Sequence, residues 1–413
     1  MSSSRHLLDR RQFLKNGLMG VAGVGALAAV PAVLKAEPQA AAPPSGKTPA
    51  RNFITRPLGK TGVKLPVVSM GVMNSNNENL IQAALDGGIV LLDTAHGYQR
   101  GTNEVVIGKV LKGRPRDSYF LATKVPGEPQ DLRTGTFTEE TKAGPFFEKF
   151  DLSLQRLGLD YVDILNLHNV TTRQAVLFEP LMGALEKVKK DGKARFIGVT
   201  CHQNEHEVVR AATEAKIYDV VLTAYNFRQT TRPELDAAIA DAVGAGIGII
   251  AMKTQAGAFW DREKTRPINM KAALKWALRN PNITTAVPGM TTFDQLTLNM
   301  QAMTDIVLTD AEKADLEIGA VMGDPGLYCQ GCETCLPQCP KNLPIPALMR
   351  SYMYAYGYRN LGAAYDLVAS LGVGPKPCAG CGGCRVKCAL GFDVGERATD
   401  IARILAAPAE LFG

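Results

Sequence analysis

Between residues 52 and 310, short runs rich in β-branched residues alternate with amphipathic helical patterns. The runs fall at 66–71, 88–93, 119–124, 161–167, 195–200, 219–223, 247–252 and 284–288. Each leads into a stretch with apolar residues at i, i+3, i+4 spacing, as from Phe147 to Leu157 and from Leu181 to Lys190. A succession of β-then-α units this long predicts a closed (β/α)8 TIM barrel. A doubly wound open sheet is the runner-up, but no Gly-x-Gly-x-x-Gly turn follows the first run. Ahead of the barrel, Pro57-Leu58-Gly59-Lys60-Thr61-Gly62 reads as a hairpin turn that plugs its base.

In such a barrel the chemistry collects at the carboxyl ends of the strands. Asp93 ends the second predicted strand, with Tyr98 five residues on; Lys124 ends the third and His168 the fourth. Singly, each has a plain explanation: a strand-end Asp caps the next helix, and a lone His is structural. Together they make a proton-transfer site. A tyrosine has a pKa near 10, and a neighbouring lysine cation is expected to lower it by about 1–3 units. Asp93 would keep Lys124 charged, and His168 would orient a carbonyl oxygen beside the Tyr98 hydroxyl. The loops 126–146 and 255–267 are expected to shape the substrate pocket.

Beyond the barrel, eight of the nine cysteines form two runs: Cys329, Cys332, Cys335 and Cys339, then Cys378, Cys381, Cys384 and Cys388. Gaps of two, two and three are the bacterial pattern for [4Fe–4S] clusters, and two runs imply two clusters and an electron-transfer module. Zinc favours paired ligands separated by a longer loop, and short gaps strain a disulfide scaffold; both readings rank below the clusters. Where two clusters share such runs, the fourth cysteine of each run serves the other cluster. One site is then Cys329, Cys332, Cys335 and Cys388, and the other Cys378, Cys381, Cys384 and Cys339. Gly331, Gly380, Gly382 and Gly383 flank the ligands and let backbone N–H groups approach the sulfurs. Ala389 stands where the pattern expects proline. The insert between the runs carries Tyr352, Tyr354, Tyr356, Tyr358 and Tyr365, which read as helical packing surface rather than an electron path.

From about Arg56 to Met303 the chain resembles the aldo-keto reductase family, through Arg56-Pro57-Leu58-Gly59-x-Thr61-Gly62 and the tetrad Asp93, Tyr98, Lys124 and His168. The whole chain looks like the branch of that family with a C-terminal ferredoxin-type extension. The resemblance implies a barrel that binds NAD(P)H, with hydride passing from the nicotinamide to a substrate carbonyl and tyrosine supplying the proton. It places the pyrophosphate and adenosine at Pro288, Gly289, Met290 and Thr291, with Gln295 and Asn299 on the next helix. No Lys or Arg lies between Gly289 and Asn299 to hold a 2′-phosphate. At the nicotinamide end the family's Ser-Asn pair is Thr200-Cys201, its carboxamide-binding Gln is Leu222, and its ring-stacking aromatic is Met252, followed by Lys253. Cys201 reads as a small packing residue.

At the N-terminus, Arg10-Arg11-Gln12-Phe13-Leu14-Lys15 reads as a twin-arginine export signal, with a Gly/Ala-rich apolar stretch from Gly17 to Leu34. The competing transmembrane anchor is weakened by that low hydrophobicity. The expected divisions are a signal at 1–36, a Pro/Ala-rich linker at 37–51, the barrel at 52–310 and the cluster domain at 311–413. The 46% apolar content suffices for a large domain and a small one. A net charge of +6 without a basic run gives no sign of a nucleic-acid partner. The expected partners are a small carbonyl or alcohol substrate, a redox partner and the twin-arginine export machinery, with the mature protein in the periplasm or on the outer face of the cytoplasmic membrane.

Overall fold

The computed structural model describes residues 52–321 and 325–412. The expected signal and linker lie outside the described residues. The described residues form one compact body.

A hairpin comes first, with β1 (Thr55–Pro57) antiparallel to β2 (Lys64–Pro66). Eight parallel strands follow: β3 (Met70–Gly71), β4 (Leu91–Asp93), β5 (Phe120–Val125), β8 (Val162–Leu167), β9 (Ala194–Cys201), β10 (Val220–Ala224), β11 (Gly248–Met252) and β12 (Thr285–Ala286). They neighbour one another in chain order. Bridges from Val68 to Ala286 and from Gly71 to Gly289 bring the last strand to the first, giving a nearly closed barrel. The small hairpin β6 (Gln130–Asp131) and β7 (Thr136–Phe137) lies in the loop after β5. All eight predicted runs hold a barrel strand. The first and last are shorter than expected because their ends meet only through single bridges.

Nine helices of the barrel region occupy the intervals: α1 (Glu78–Asp86), α2 (Thr102–Leu111), α3 (Ala143–Leu157), α4 (Arg173–Val176), α5 (Glu179–Lys190), α6 (Glu205–Ala215), α7 (Arg232–Gly244), α8 (Met270–Leu278) and α9 (Phe293–Gln301). Strand β8 is buried along its whole length, as a parallel strand covered on both faces must be. One set of strand residues, among them Leu91, Ala122, Ile164 and Leu222, points into the barrel. There they meet Leu58, Val63 and Leu65 of the first hairpin, which plugs the base as its sequence predicts. Gly59 fits this plug because its φ is +52° and a Cβ would lie 2.3 Å from Gly246 O. The Arg56 guanidinium donates to Leu278 O, Asn280 O and Ile283 O at 2.6–2.8 Å, satisfying carbonyls at and beyond the end of α8.

After the barrel come α10 (Asp310–Val321), α11 (Ile345–Tyr356), α12 (Leu361–Ser370) and α13 (Val394–Ala402). Helix α11 is buried nearly all round, and Arg350 is its one charged residue. A helix of that kind must lie inside a larger body. Leu348, Met349 and Tyr352 share a core with Ala256, Trp260, Ala272 and Ala273 of the barrel. The cluster domain is therefore packed onto the barrel through a continuous apolar interface.

Candidate active site

The strand register assembles the tetrad. Asp93 pairs across from Ala122, two residues before Lys124, and Lys124 pairs across from Asn166, two residues before His168. The Lys124 ammonium donates to Asp93 Oδ2 at 2.7 Å, Thr94 O at 2.5 Å and Tyr98 Oη at 3.2 Å. The Tyr98 and His168 rings stand edge to face with centroids 6.0 Å apart. All four expected catalytic residues meet at the carboxyl end of the barrel.

Electrostatics alter one expectation. Burial pushes the Tyr98 hydroxyl well above its ordinary pKa, and the Asp93 carboxylate adds to the effect. The nearby Lys124, which donates to Asp93, does not outweigh burial and the Asp93 charge. Burial also pulls Lys124 below its ordinary value, opposed by Asp93. Tyr98 is consequently a firmly protonated donor. His168 falls to about 3, through burial first and then the cations Lys124, Arg350 and Lys253. It is neutral at any physiological pH and can orient a carbonyl without carrying charge.

Helix α11 roofs this site. Lys253 Nζ lies 5.0 Å from the Tyr354 ring centroid and 5.8 Å from that of Tyr358, and the two tyrosine rings stack. Burial raises the Tyr354 hydroxyl, but Lys253 and Arg350 outweigh it and hold Tyr354 below its ordinary value. Arg350 Nη1 lies 3.0 Å from His202 Nδ1. Sequence reasoning took the tyrosines as packing. That holds for Tyr352 and Tyr356, whose rings lie 4.4 Å apart and pack in the core shared with the barrel. Tyr354 and Tyr358 belong to the same core but also stand beside Lys253 at the catalytic pocket. His202, Arg350 and Tyr354 were missed as site residues. A lone arginine in an otherwise apolar helix, and a histidine one residue beyond a barrel strand, were the available signals.

The expected nicotinamide contacts are mostly committed elsewhere. Thr200 Oγ1 accepts the Asn169 N–H at 2.8 Å. Cys201 is buried in the outer core, with Sγ 3.4 Å from Thr223 Oγ1, and burial raises its thiol far above the ordinary value. Leu222 fills the barrel interior, and Met252 packs against the same cluster. Lys253 sits under Tyr354. Polar partners for a carboxamide are therefore scarce at this end. At the other end, Met290 is fully buried in the outer core, so its side chain is no cofactor contact. Pro288 O accepts the Gly71 N–H at 3.1 Å, and Gly289 is exposed. Thr291 N–H donates to Gln295 Oε1 at 2.7 Å, and Thr292 caps α9 by accepting Gln295 N–H. Asn299 Oδ1 is buried without a hydrogen-bond partner.

Cys329, Cys332, Cys335 and Cys388 line one cavity, the quartet expected from spacing. Burial pushes the Cys329 thiol up to about 12, and the three partner cysteines add to the rise. Among the described residues no three His, Cys, Asp or Glu side chains are placed to hold a single metal ion. Four thiols around a cavity suit the larger [4Fe–4S] core. The loop of Cys339 is tied to the second run: Lys387 N–H donates to Gln338 Oε1 at 2.7 Å, Gln338 Nε2 donates to Lys387 O at 3.2 Å, and Lys341 bonds Ala379 O. Gly380, Gly382 and Gly383 all have positive φ, which glycine alone adopts without strain.

Residues 69–273 match the aldo/keto reductase family, and residues 328–393 match the 4Fe-4S dicluster domain. L-galactose dehydrogenase of Arabidopsis thaliana is 26% identical over 310 residues, covering 65% of this chain and 93% of that protein. The uncharacterized oxidoreductase YqkF of Bacillus subtilis is 31% identical over 150 residues, 35% of this chain and 48% of that relative, so the match spans about half of its length. The holo form of the aldo-keto reductase AKR11C1 from Bacillus halodurans superposes with a TM-score of 0.52 at 23% identity, covering 65% of this chain and 96% of that one. The chain therefore holds an aldo/keto reductase family domain at residues 69–273, followed by a 4Fe-4S dicluster domain at residues 328–393.

Proposed function

We propose that the protein interconverts a carbonyl and an alcohol on a small, sugar-like molecule. Tyr98 supplies the proton, and the cluster domain exchanges the electrons with a redox partner after twin-arginine export. The observation that carries this reading is the tetrad lying directly beneath α11 of the cluster-bearing domain. Lys124, fixed by Asp93 and Thr94 O, directs its third hydrogen bond at the Tyr98 oxygen and so turns the hydroxyl proton toward the pocket. Neutral His168 orients the substrate oxygen. Tyr354 and Lys253 place a second proton-bearing pair beside the first, and Met353 and Tyr354 keep bulk water from above. Two [4Fe–4S] clusters, held by the two cysteine quartets, would supply one electron each, which matches the two electrons and two protons of the interconversion.

A second reading keeps NAD(P)H as the hydride source. It is favoured by the exposed Gly289 just ahead of the N-terminus of α9, a natural anion site, and by the buried, unpartnered Asn299 Oδ1 further along that helix. Gly289, Thr291, Gln295 and Asn299 would then hold the dinucleotide.

Replacing Tyr98→Phe is expected to lower carbonyl turnover about 10²–10⁴-fold while leaving the cluster absorbance intact. Unchanged turnover would assign the proton to another group. Exchanging both Arg10→Lys and Arg11→Lys should retain the holoprotein in the cytoplasm; normal export of that variant would remove the export assignment.

A further inference from the structure

The barrel and the cluster domain enclose a cavity of about 140 Å³ between the β6–β7 hairpin, the loop after β8 and helix α11. Its polar lining includes Gln130, Arg133, Asn169, Gln203 and Arg350, and it contains no Asp or Glu. Asn169, the residue after His168, puts one wall of the cavity in the loop that follows β8, although no tetrad side chain lines it. Asn169 Oδ1 is buried and has no hydrogen-bond partner.

Arg350 spends one N–H on His202 Nδ1, and a guanidinium carries five. It also lines a second, smaller cavity with Lys253 and His202. Its surroundings hold Tyr354 and Cys329 but no paired carboxylate among the described residues. The nearest acids are engaged or peripheral. Glu333 accepts from Gln203, Asp131 lies at the rim beside Arg133, and Glu205 is felt by Lys253. Enclosed cations without a paired carboxylate are costly unless an anion joins them.

We propose that this cavity is the substrate subsite and takes an anionic polyhydroxy molecule. Arg350, with Arg133 at the rim, holds its carboxylate or phosphate, and Asn169, Gln130 and Gln203 take its hydroxyl groups. This rests on the carbonyl–alcohol reading of the tetrad and names the class of substrate. An arginine fork suits either anion because it presents parallel N–H donors.

The test is calorimetric binding to the intact holoprotein without electron donor, so the result does not depend on turnover. Sodium gluconate, glucose 6-phosphate and neutral glucose are the probes. At least one anion is expected to bind about tenfold or more tighter than glucose, and which one does so identifies the anionic group. Arg350→Gln should abolish that preference while leaving glucose unaffected. Arg133→Gln, at an exposed position, should weaken the anion alone and serves if the Arg350 variant fails to fold. Equal binding of glucose and both anions, no binding of either anion, or anion binding unchanged in the folded variants would overturn the proposal. A turnover loss in Tyr98→Phe with no anion preference would reject this subsite while sparing the carbonyl chemistry.

Discussion

Two tyrosines share the pocket, and burial raises the hydroxyl pKa of both, yet they end on opposite sides of the ordinary value. Tyr98 stays high because burial is joined by the charge of the nearby Asp93 carboxylate. Tyr354 falls because the cations Lys253 and Arg350 outweigh its burial. His168 responds to the same cations, and its folded pKa of about 3 lies below the ordinary 6.5. Between those values the unfolded chain binds the extra proton, so stability rises with pH across that window and is lost as pH falls through it. His202 is shifted in the same direction. Glu205, raised to about 7, works oppositely above its ordinary 4.5, which makes the difference between wild type and variant the quantity to read. His168→Gln should lose less thermal stability than wild type when pH is lowered from about 6.5 toward 3. Parallel melting-temperature profiles for the two proteins would contradict the neutral, buried His168.

At the level of elements, the barrel strands were legible because a parallel strand covered on both faces must be continuously apolar, as Val162–Leu167 is. The tetrad was legible because the strand-end rule turns chain positions such as Asp93 and Lys124 into neighbours. The inward face of α11 was not, since its periodicity predicts a helix but does not say what covers each side. Arg350 and Tyr354 become site residues only once the helix is laid over the barrel mouth. The cofactor segment illustrates the same limit: Met290 falls within the expected loop, yet its side chain turns into the outer core. The hairpin plug gives this scale its prediction. Gly59→Ala meets both a positive φ and Gly246 O, and should cost about 1–3 kcal/mol in chemical denaturation. A stability equal to wild type would mean that the plug does not hold the barrel's base so closely.

At the scale of the whole molecule, the barrel and the cluster domain share an apolar interface and two cavities among the described residues. Trp260 and Ala272 on the barrel side pack with Leu348 and Tyr352 on the other. Cys329 of the first quartet lines the same small cavity as His202, Lys253 and Arg350, which places a cluster ligand beside the residues that surround the catalytic pocket. That arrangement supports the proposed role of the clusters in the barrel's chemistry, while the groups expected to grip a nicotinamide ring are apolar or already bonded. Anaerobic analysis of iron, sulfide and released nucleotide in the native holoprotein tests this most directly. The account predicts about eight iron and eight sulfide per chain and no stoichiometric nicotinamide nucleotide. Stoichiometric NAD(H) or NADP(H) on denaturation, or zinc in place of iron, would contradict it.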